Sequence, residues 1–492
     1  MSRRITIDPI TRLEGHGKIE IFLDEHGDVA NAYLQVPELR GFEQFCVGRK
    51  AEDMPQLTSR ICGVCPVAHH FAAVKALDAA FGVEPTETAR KLRELIYCGY
   101  VIYDHILHFY FLAAPDFVVG PDAPKAKRNI LGIIEKVGQE AARDVIKHRA
   151  FGQRITEILG GKATHPVSGI PGGQTKGLNE EERREIETMA RSCVGFAEFT
   201  LGLFHDLVLG NERYRALIHD PALGLDLYNM GLVDDGNRVS FYDGTVRVVG
   251  PDGREFVRFA GADYLEHIAE CVLDWSYVKV PYLKAIGYKG LAAGTDSGLY
   301  RVGPLGRLNA AEGMATPKAD QEYHRLFGTF GKKPVSATLA FHWARLIELL
   351  YAAERALELA SDPEIAGTDI RNMKFDMKSE GVGVVEAARG TLFHHYRLSP
   401  DRLVEEVNLI VATTNNKGAI CLSVREAARR FIHAGRVDEG LLNLVEMFFR
   451  AYDPCFGCAS HVTGQTPLIV NIRATDGRLL EQVGGGLSGK EA

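Results

Sequence analysis

The chain has 492 residues, 46% hydrophobic and 25% charged, with a formal net charge of −7. That is globular composition with ample material for a large buried core. It carries no broad basic footprint, so nucleic acid is excluded as an expected partner. No apolar run reaches the roughly 18 residues of a membrane span, and the most apolar helical stretch, Ile96 to Ala114, is interrupted by Asp104, His105 and His108.

Taken in chain order, Ile5 to Ile7, Lys18 to Leu23 and Val29 to Val36 alternate like strands, with a hairpin turn at Glu25 to Asp28. The start, MSRRITIDPI, has no apolar segment after its arginines, so it does not read as an export signal and the chain is expected in the cytoplasm. Pro66 opens a helix to about Phe81, and Thr88 to Ala114 predicts a long buried helix. Lys125 to Leu159 and Asn179 to Leu217 predict charged, amphipathic, surface-facing helices. A β insert is expected at Arg238 to Phe259, with hairpin turns at Asp243-Gly244 and Asp252-Gly253. Pro334 to Ser361 predicts a helix, Val382 to Val411 short strands and loops, and Leu422 to Phe449 a further helix. No internal repeat or low-complexity linker is visible. The pattern implies one mainly α (α+β) domain, a large helical bundle with small peripheral sheets and hairpins.

Nine cysteines are present, an odd number that argues against a disulfide framework. Cys46, Cys98, Cys193, Cys271 and Cys421 are scattered and read as small buried hydrophobes. The other four form two C-x-x-C pairs, Cys62/Cys65 just before the Pro66 helix and Cys455/Cys458 with His461 three residues on. Each pair can bind one metal ion, and four such sulfurs make a soft site suited to zinc, an iron–sulfur group or nickel. The helix dipole and Arg60 would favour thiolates at the first pair. Structural zinc sites place their pairs about 15–20 residues apart, whereas Cys65 and Cys455 are 390 positions apart (455 − 65). A shared site would bring both chain ends to the centre, at a loop-closure cost that grows only logarithmically. From spacing alone a shared catalytic metal, separate structural metals and no metal all stay open.

The sequence resembles the large subunits of nickel–iron hydrogenases. R-I-C-G-V-C-P-V-A-H (Arg60 to His69) and D-P-C-F-G-C-A-S-H (Asp453 to His461) match that family's two signature motifs. Further matches are Arg12 to His16, Arg40 to Glu43, Asp104 to Asp116, Glu386 to Gly390 and Val411 to Asn416. Ala388 departs from the family's E-A-P-R-G, and Asn415-Asn416 resembles the cytoplasmic multi-subunit group, of which the heterodisulfide-reductase-linked branch is favoured.

The resemblance implies nickel on Cys62, Cys65, Cys455 and Cys458, with Cys65 and Cys458 bridging to an iron that carries cyanide and carbon monoxide. The activity implied is reversible heterolysis of dihydrogen. Cys455 would accept the proton and Glu14 would carry it onward, the alternative for Glu14 being a salt bridge with Arg12 or His16. Arg389 would lie over the site, held by Asp116 and Asp453, with a surface ion pair to Glu386 as the alternative. Thr413 would hydrogen-bond a cyanide, and His69, one turn after Cys65, a cysteine sulfur. His105, His108, Tyr97, Tyr100 and Tyr103 read as core. Glu43 and His461 match ligands of a hard metal, usually magnesium.

The resemblance also divides the chain into a mature domain, residues 1–461, and a tail, residues 462–492, removed by an endopeptidase that cuts after His461. The tail predicts a hairpin, Leu468 to Arg473 and Leu479 to Val483 around Asp476-Gly477, and while attached it would keep Cys455 and Cys458 near solvent for metal loading. The five remaining cysteines lack iron–sulfur ligand spacing, so an iron–sulfur small subunit is an expected partner. The rival readings are the related quinone-module subunit of respiratory complex I, which lacks the four cysteines, a hydrogen sensor and a cysteine-ligated zinc protein.

Overall fold

The computed structural model describes residues 4–461, 470–473 and 479–483. Helices dominate, and six small separate sheets decorate them. The opening strands Arg4–Ile7, Lys18–Leu23 and Val29–Gln35 form an antiparallel meander. Helix Pro66–Ala80 starts on a proline at its first position, where the missing N–H costs nothing. Helix Glu87–Leu107 is capped by the Thr86 hydroxyl, which accepts from the Ala89 N–H.

The predicted Thr88 to Ala114 helix is α-helical only to Leu107. Wider π-type turns follow at His108–Ala113 and Pro115–Val119. Pro115 supplies the cause: it has no N–H to donate and its ring crowds the preceding turn. Over its whole length, Glu87–Val119 meets the length and hydropathy of a membrane span, contrary to the sequence reading, as does Glu180–Leu209. In the first, 83% of the most apolar window is buried within the protein, as in a core helix.

Helix Ala340–Ser361 packs against Glu180–Phe204 and Glu87–Leu107, and the latter also packs on Gln139–Gly160. Helix Ala340–Ser361 begins six residues later than expected from Pro334. The intervening backbone is already committed elsewhere: Val335 N–H donates to Asn309 Oδ1, and its carbonyl accepts from Arg301 and Asn309.

Residues 380–410, expected as short strands and loops, form a regular antiparallel sheet of Glu380–Ala387, Gly390–Leu398 and Val404–Ile410. Its first strand lies directly on helix Pro66–Ala80. A Cβ on Gly383 would sit 2.0 Å from Ala72 O, and one on Gly381 2.1 Å from Ala76 O, so only glycine permits this approach. Tyr228–Val233 is an unpredicted strand in the four-stranded sheet that also holds Thr245–Val249 and Glu255–Phe259. Every residue in it is buried, so it shows none of the alternation by which strands are recognised. In the tail, Val470–Arg473 pairs antiparallel with Leu479–Val483, as predicted; the expected turn at Asp476-Gly477 lies outside the described residues.

Candidate metal centre

The first cysteine loop links helix Met54–Ser59 to helix Pro66–Ala80, with Cys65 at the latter's N-cap position. The Val64 and Cys65 N–H groups both donate to Cys62 Sγ, at 3.2 and 3.3 Å, an arrangement that favours thiolate. Arg60 does not contribute: it is exposed and donates to Gln56 O and Ser59 Oγ. The second loop leads into the short helix Phe456–Ala459, with Cys455 as its N-cap. Asp453 holds the left-handed φ of 54° that turns the chain inward, a conformation aspartate tolerates.

The two loops meet in the core. Cys62 Sγ lies 3.5 Å from Cys455 Sγ, Cys65 Sγ 3.2 Å from Cys458 Sγ, and all four sulfurs lie within 4.8 Å of one another. Each of these cysteines is at most 4% exposed, and no disulfide forms. An ion bonded to sulfur at about 2.3 Å requires sulfur pairs roughly 3.3–4.6 Å apart, depending on angle, so the spacing fits one soft ion. The electrostatics agree. S–H groups of Cys455, Cys458 and Cys65 pull the Cys62 pKa well down, while burial pushes those of Cys455 and Cys458 well up. Four thiolates in this volume need a cation among them. Among the described residues the cluster is closed, with Cys455 and Cys458 buried.

Several side chains fasten the loops together. Glu14 pairs with the second loop: Phe456 N–H donates to Glu14 O, and Gly457 N–H to Glu14 Oε2. Cys455 S–H donates to the same Oε2 at 2.9 Å. Neither Arg12 nor His16 pairs with Glu14, since they bind Asp116 and Glu38. Thr413 Oγ1 accepts from Cys455 N–H at 3.0 Å. Arg40, not singled out as a site residue in the sequence, bridges the loops by donating to Ile61 O and Gly457 O.

Arg389 lies 3.2 Å from Asp104 Oδ2 and 2.9 Å from Asp453 Oδ2. Burial opposes its charge, yet the two carboxylates and nearby thiolates hold its pKa well above the ordinary value. The sequence reading had named Asp116 in place of Asp104. Asp116 instead takes Arg12 and Arg450 in two short ion pairs; it lies 12 residues beyond Asp104 (116 − 104), about 18 Å farther along the helical axis at a rise of about 1.5 Å per residue. Glu386 is not Arg389's partner either; it binds Arg307 at 2.7 Å in the core. Ala388, where the family motif has proline, donates its N–H to the Tyr100 hydroxyl at 3.0 Å, a bond proline could not make.

His69 Nε2 lies 3.4 Å from Cys458 Sγ, and Nδ1 lies 3.1 Å from His394 Nε2. Burial pushes His69 down to about 4 and His394 well below the usual imidazole range. His105 is a buried core group that bonds Glu348 through Nε2, while its Nδ1 has no hydrogen-bond partner among the described residues. Beyond Cys458 a second donor set converges. His461 Nε2 lies 2.6 Å from Leu409 O and 3.5 Å from Glu43 Oε1, which itself accepts from Leu409 N–H. Two oxygens and an imidazole suit a hard divalent ion better than a soft one.

A model of the nickel-dependent hydrogenase family matches residues 40–147 and 239–461, and one described as HoxL-like matches 4–39. The chain is 46% identical to an F420-non-reducing hydrogenase iron-sulfur subunit of Archaeoglobus profundus, over 98% of this chain and 99% of that one. It is 37% identical to the NAD-reducing hydrogenase HoxS subunit beta of Cupriavidus necator, over 98% and 99%. The crystal structure of an NAD+-reducing NiFe hydrogenase in the H2-reduced state superposes with a TM-score of 0.87 at 39% identity, covering 93% of this chain and 99% of that one. The Ni-Fe-Se hydrogenase of D. vulgaris Hildenborough gives 0.73 at 25%, covering 94% and 100%. A four-cysteine centre assembled from both chain ends, within a fold and sequence shared along nearly their whole length, makes this chain a large subunit of the nickel-dependent hydrogenase family, an oxidoreductase acting on hydrogen.

Proposed function

We propose that Cys62, Cys65, Cys455 and Cys458 hold a nickel–iron pair whose iron carries cyanide and carbon monoxide, and that the electrons leave through an iron–sulfur small subunit. The observation that carries this is the meeting of two C-x-x-C loops around one soft-donor volume. The metal pair supplies the electrophile and the two-electron store for heterolytic cleavage of dihydrogen. The protein supplies the path for the proton. Cys455 Sγ takes it, and Glu14 Oε2, already within hydrogen-bond distance, receives it from sulfur. Arg389, fixed between Asp104 and Asp453, sets a positive charge beside the reacting volume. Thr413 holds the Cys455 backbone in register.

The same reading assigns magnesium to Glu43, the Leu409 carbonyl and His461. It divides the chain into a mature domain, residues 1–461, and a maturation tail, residues 462–492, cut by an endopeptidase at His461. The family match ends at residue 461, which supports that boundary. That the relatives are F420-non-reducing hydrogenases supports an electron acceptor other than F420; on this reading it is heterodisulfide reductase, in a cytoplasmic complex. The test is the complex purified from its native cells. Nickel and iron at one each per large subunit, infrared bands of cyanide and carbon monoxide, a mass ending at His461 and co-purifying iron–sulfur subunits are expected. Zinc with neither nickel nor such bands would overturn the reading.

A further inference from the structure

His69 touches the cluster with one ring nitrogen and faces away from it with the other, and the outward side continues into a buried chain. Its Nδ1 lies 3.1 Å from His394 Nε2, and His394 Nδ1 lies 2.5 Å from the Tyr396 hydroxyl. His394 and Tyr396 are two positions apart on strand Gly390–Leu398 and so share a face. His69 is 1% exposed, and His394 and Tyr396 are fully buried.

A 3.1 Å N···N contact pairs one N–H with one lone pair, and as uncharged rings each imidazole offers one of each. A cysteine sulfur bonded to metal only accepts. The proton of His69 therefore sits on Nε2, which makes Nδ1 an acceptor. His394 must then carry its proton on Nε2, which makes its own Nδ1 an acceptor, and the Tyr396 hydroxyl must donate to it. The direction is the same at every link, from Tyr396 to Cys458.

We propose that His394 and Tyr396 are positioning residues for the metal centre: Tyr396 fixes the tautomer of His394, and His394 fixes that of His69, so that an N–H stays on the Cys458 sulfur. That N–H draws electron density from the sulfur and hence from the metals, as outer partners of metal ligands do. Without the Tyr396 donor, His394 can hold its proton on Nδ1. Its Nε2 would then accept from His69 Nδ1, and the bond to Cys458 would be lost. The inference rests on the nickel–iron reading above.

The test uses the purified complex with Tyr396→Phe, His394→Leu and His394→Gln, reading nickel per chain and the infrared bands of the iron's diatomic ligands in one redox state. Tyr396→Phe and His394→Leu are expected to keep nickel and to shift the carbon monoxide band to lower wavenumber. His394→Gln, whose amide N–H stands in for Nε2–H, is expected to keep the wild-type position. Nickel-loaded Tyr396→Phe and His394→Leu proteins with unshifted bands would overturn the positioning chain alone. So would a folded Tyr396→Phe protein without nickel, since a positioning group tunes a filled site and does not build it. Wild-type protein without nickel or those bands would overturn the metal reading and this chain with it.

Discussion

Single atoms decide the chemistry of this centre, and Glu14 Oε2 is the clearest of them, since it accepts from Cys455 S–H and Gly457 N–H together. Glu14→Gln keeps the shape and removes the proton acceptor. It is expected to lower hydrogen oxidation by about 10²-fold or more while nickel content stays at the wild-type level, measured by dye reduction and metal analysis. His70 shows a different dependence. Its Nδ1–H donates to Pro55 O, and its Nε2 accepts from Gly169 N–H, so burial holds it neutral with a pKa of about 4. Unfolded histidine titrates near 6.5. Between those values the unfolded chain binds the extra proton, so stability falls as pH drops from 6.5 and levels off near 4, by on the order of 3 kcal/mol. Equilibrium unfolding of wild type and His70→Asn across that range checks this, with a flatter slope expected for the variant.

Elements set how closely those atoms are held. The strand Glu380–Ala387 lies on helix Pro66–Ala80 only because Gly381 and Gly383 have no side chain. Gly383→Val drives a Cβ into the Ala72 carbonyl and is expected to cost at least about 3 kcal/mol, seen as a lower thermal midpoint; an unchanged midpoint would show that helix and strand can separate freely. This closeness was not legible in the sequence, where Gly-Val-Gly-Val reads only as a weak strand. The opening meander was legible to within a residue, because one face alternates toward the core. Strand Tyr228–Val233 was not, because burial on all sides erases alternation. The start of helix Ala340–Ser361 was missed for another reason: distant side chains had taken the backbone groups that the helix would have used.

The whole molecule is clamped by ion pairs that tie distant segments. Asp116 binds Arg12 near the start of the chain and Arg450 near its end, both at hydrogen-bond distance and largely buried. Asp116→Ala removes the ion pair of Arg12 and one of the two ion pairs of Arg450, which keeps Glu446, and is expected to cost about 3 kcal/mol in stability. Asp104→Ala, beside Arg389, is expected to lower turnover more than it lowers stability. Parallel unfolding and activity measurements on the two variants separate the roles. A stability loss confined to Asp104→Ala would contradict the assignment. The cysteine quartet was legible because its motifs are dense and specific. The swap of Asp104 for Asp116 was not, because both lie in one matched segment and only the tertiary packing decides which of them faces Arg389.

Because the four sulfurs come from residues 62–65 and 455–458, a nascent chain emerging from the ribosome owns half a binding pocket until residue 458 has been added. A product that stops short of residue 455 can therefore present at most two of the four donors. The connectivity acts as a proofreading step, reserving the full donor set for polypeptides that extend through residue 458.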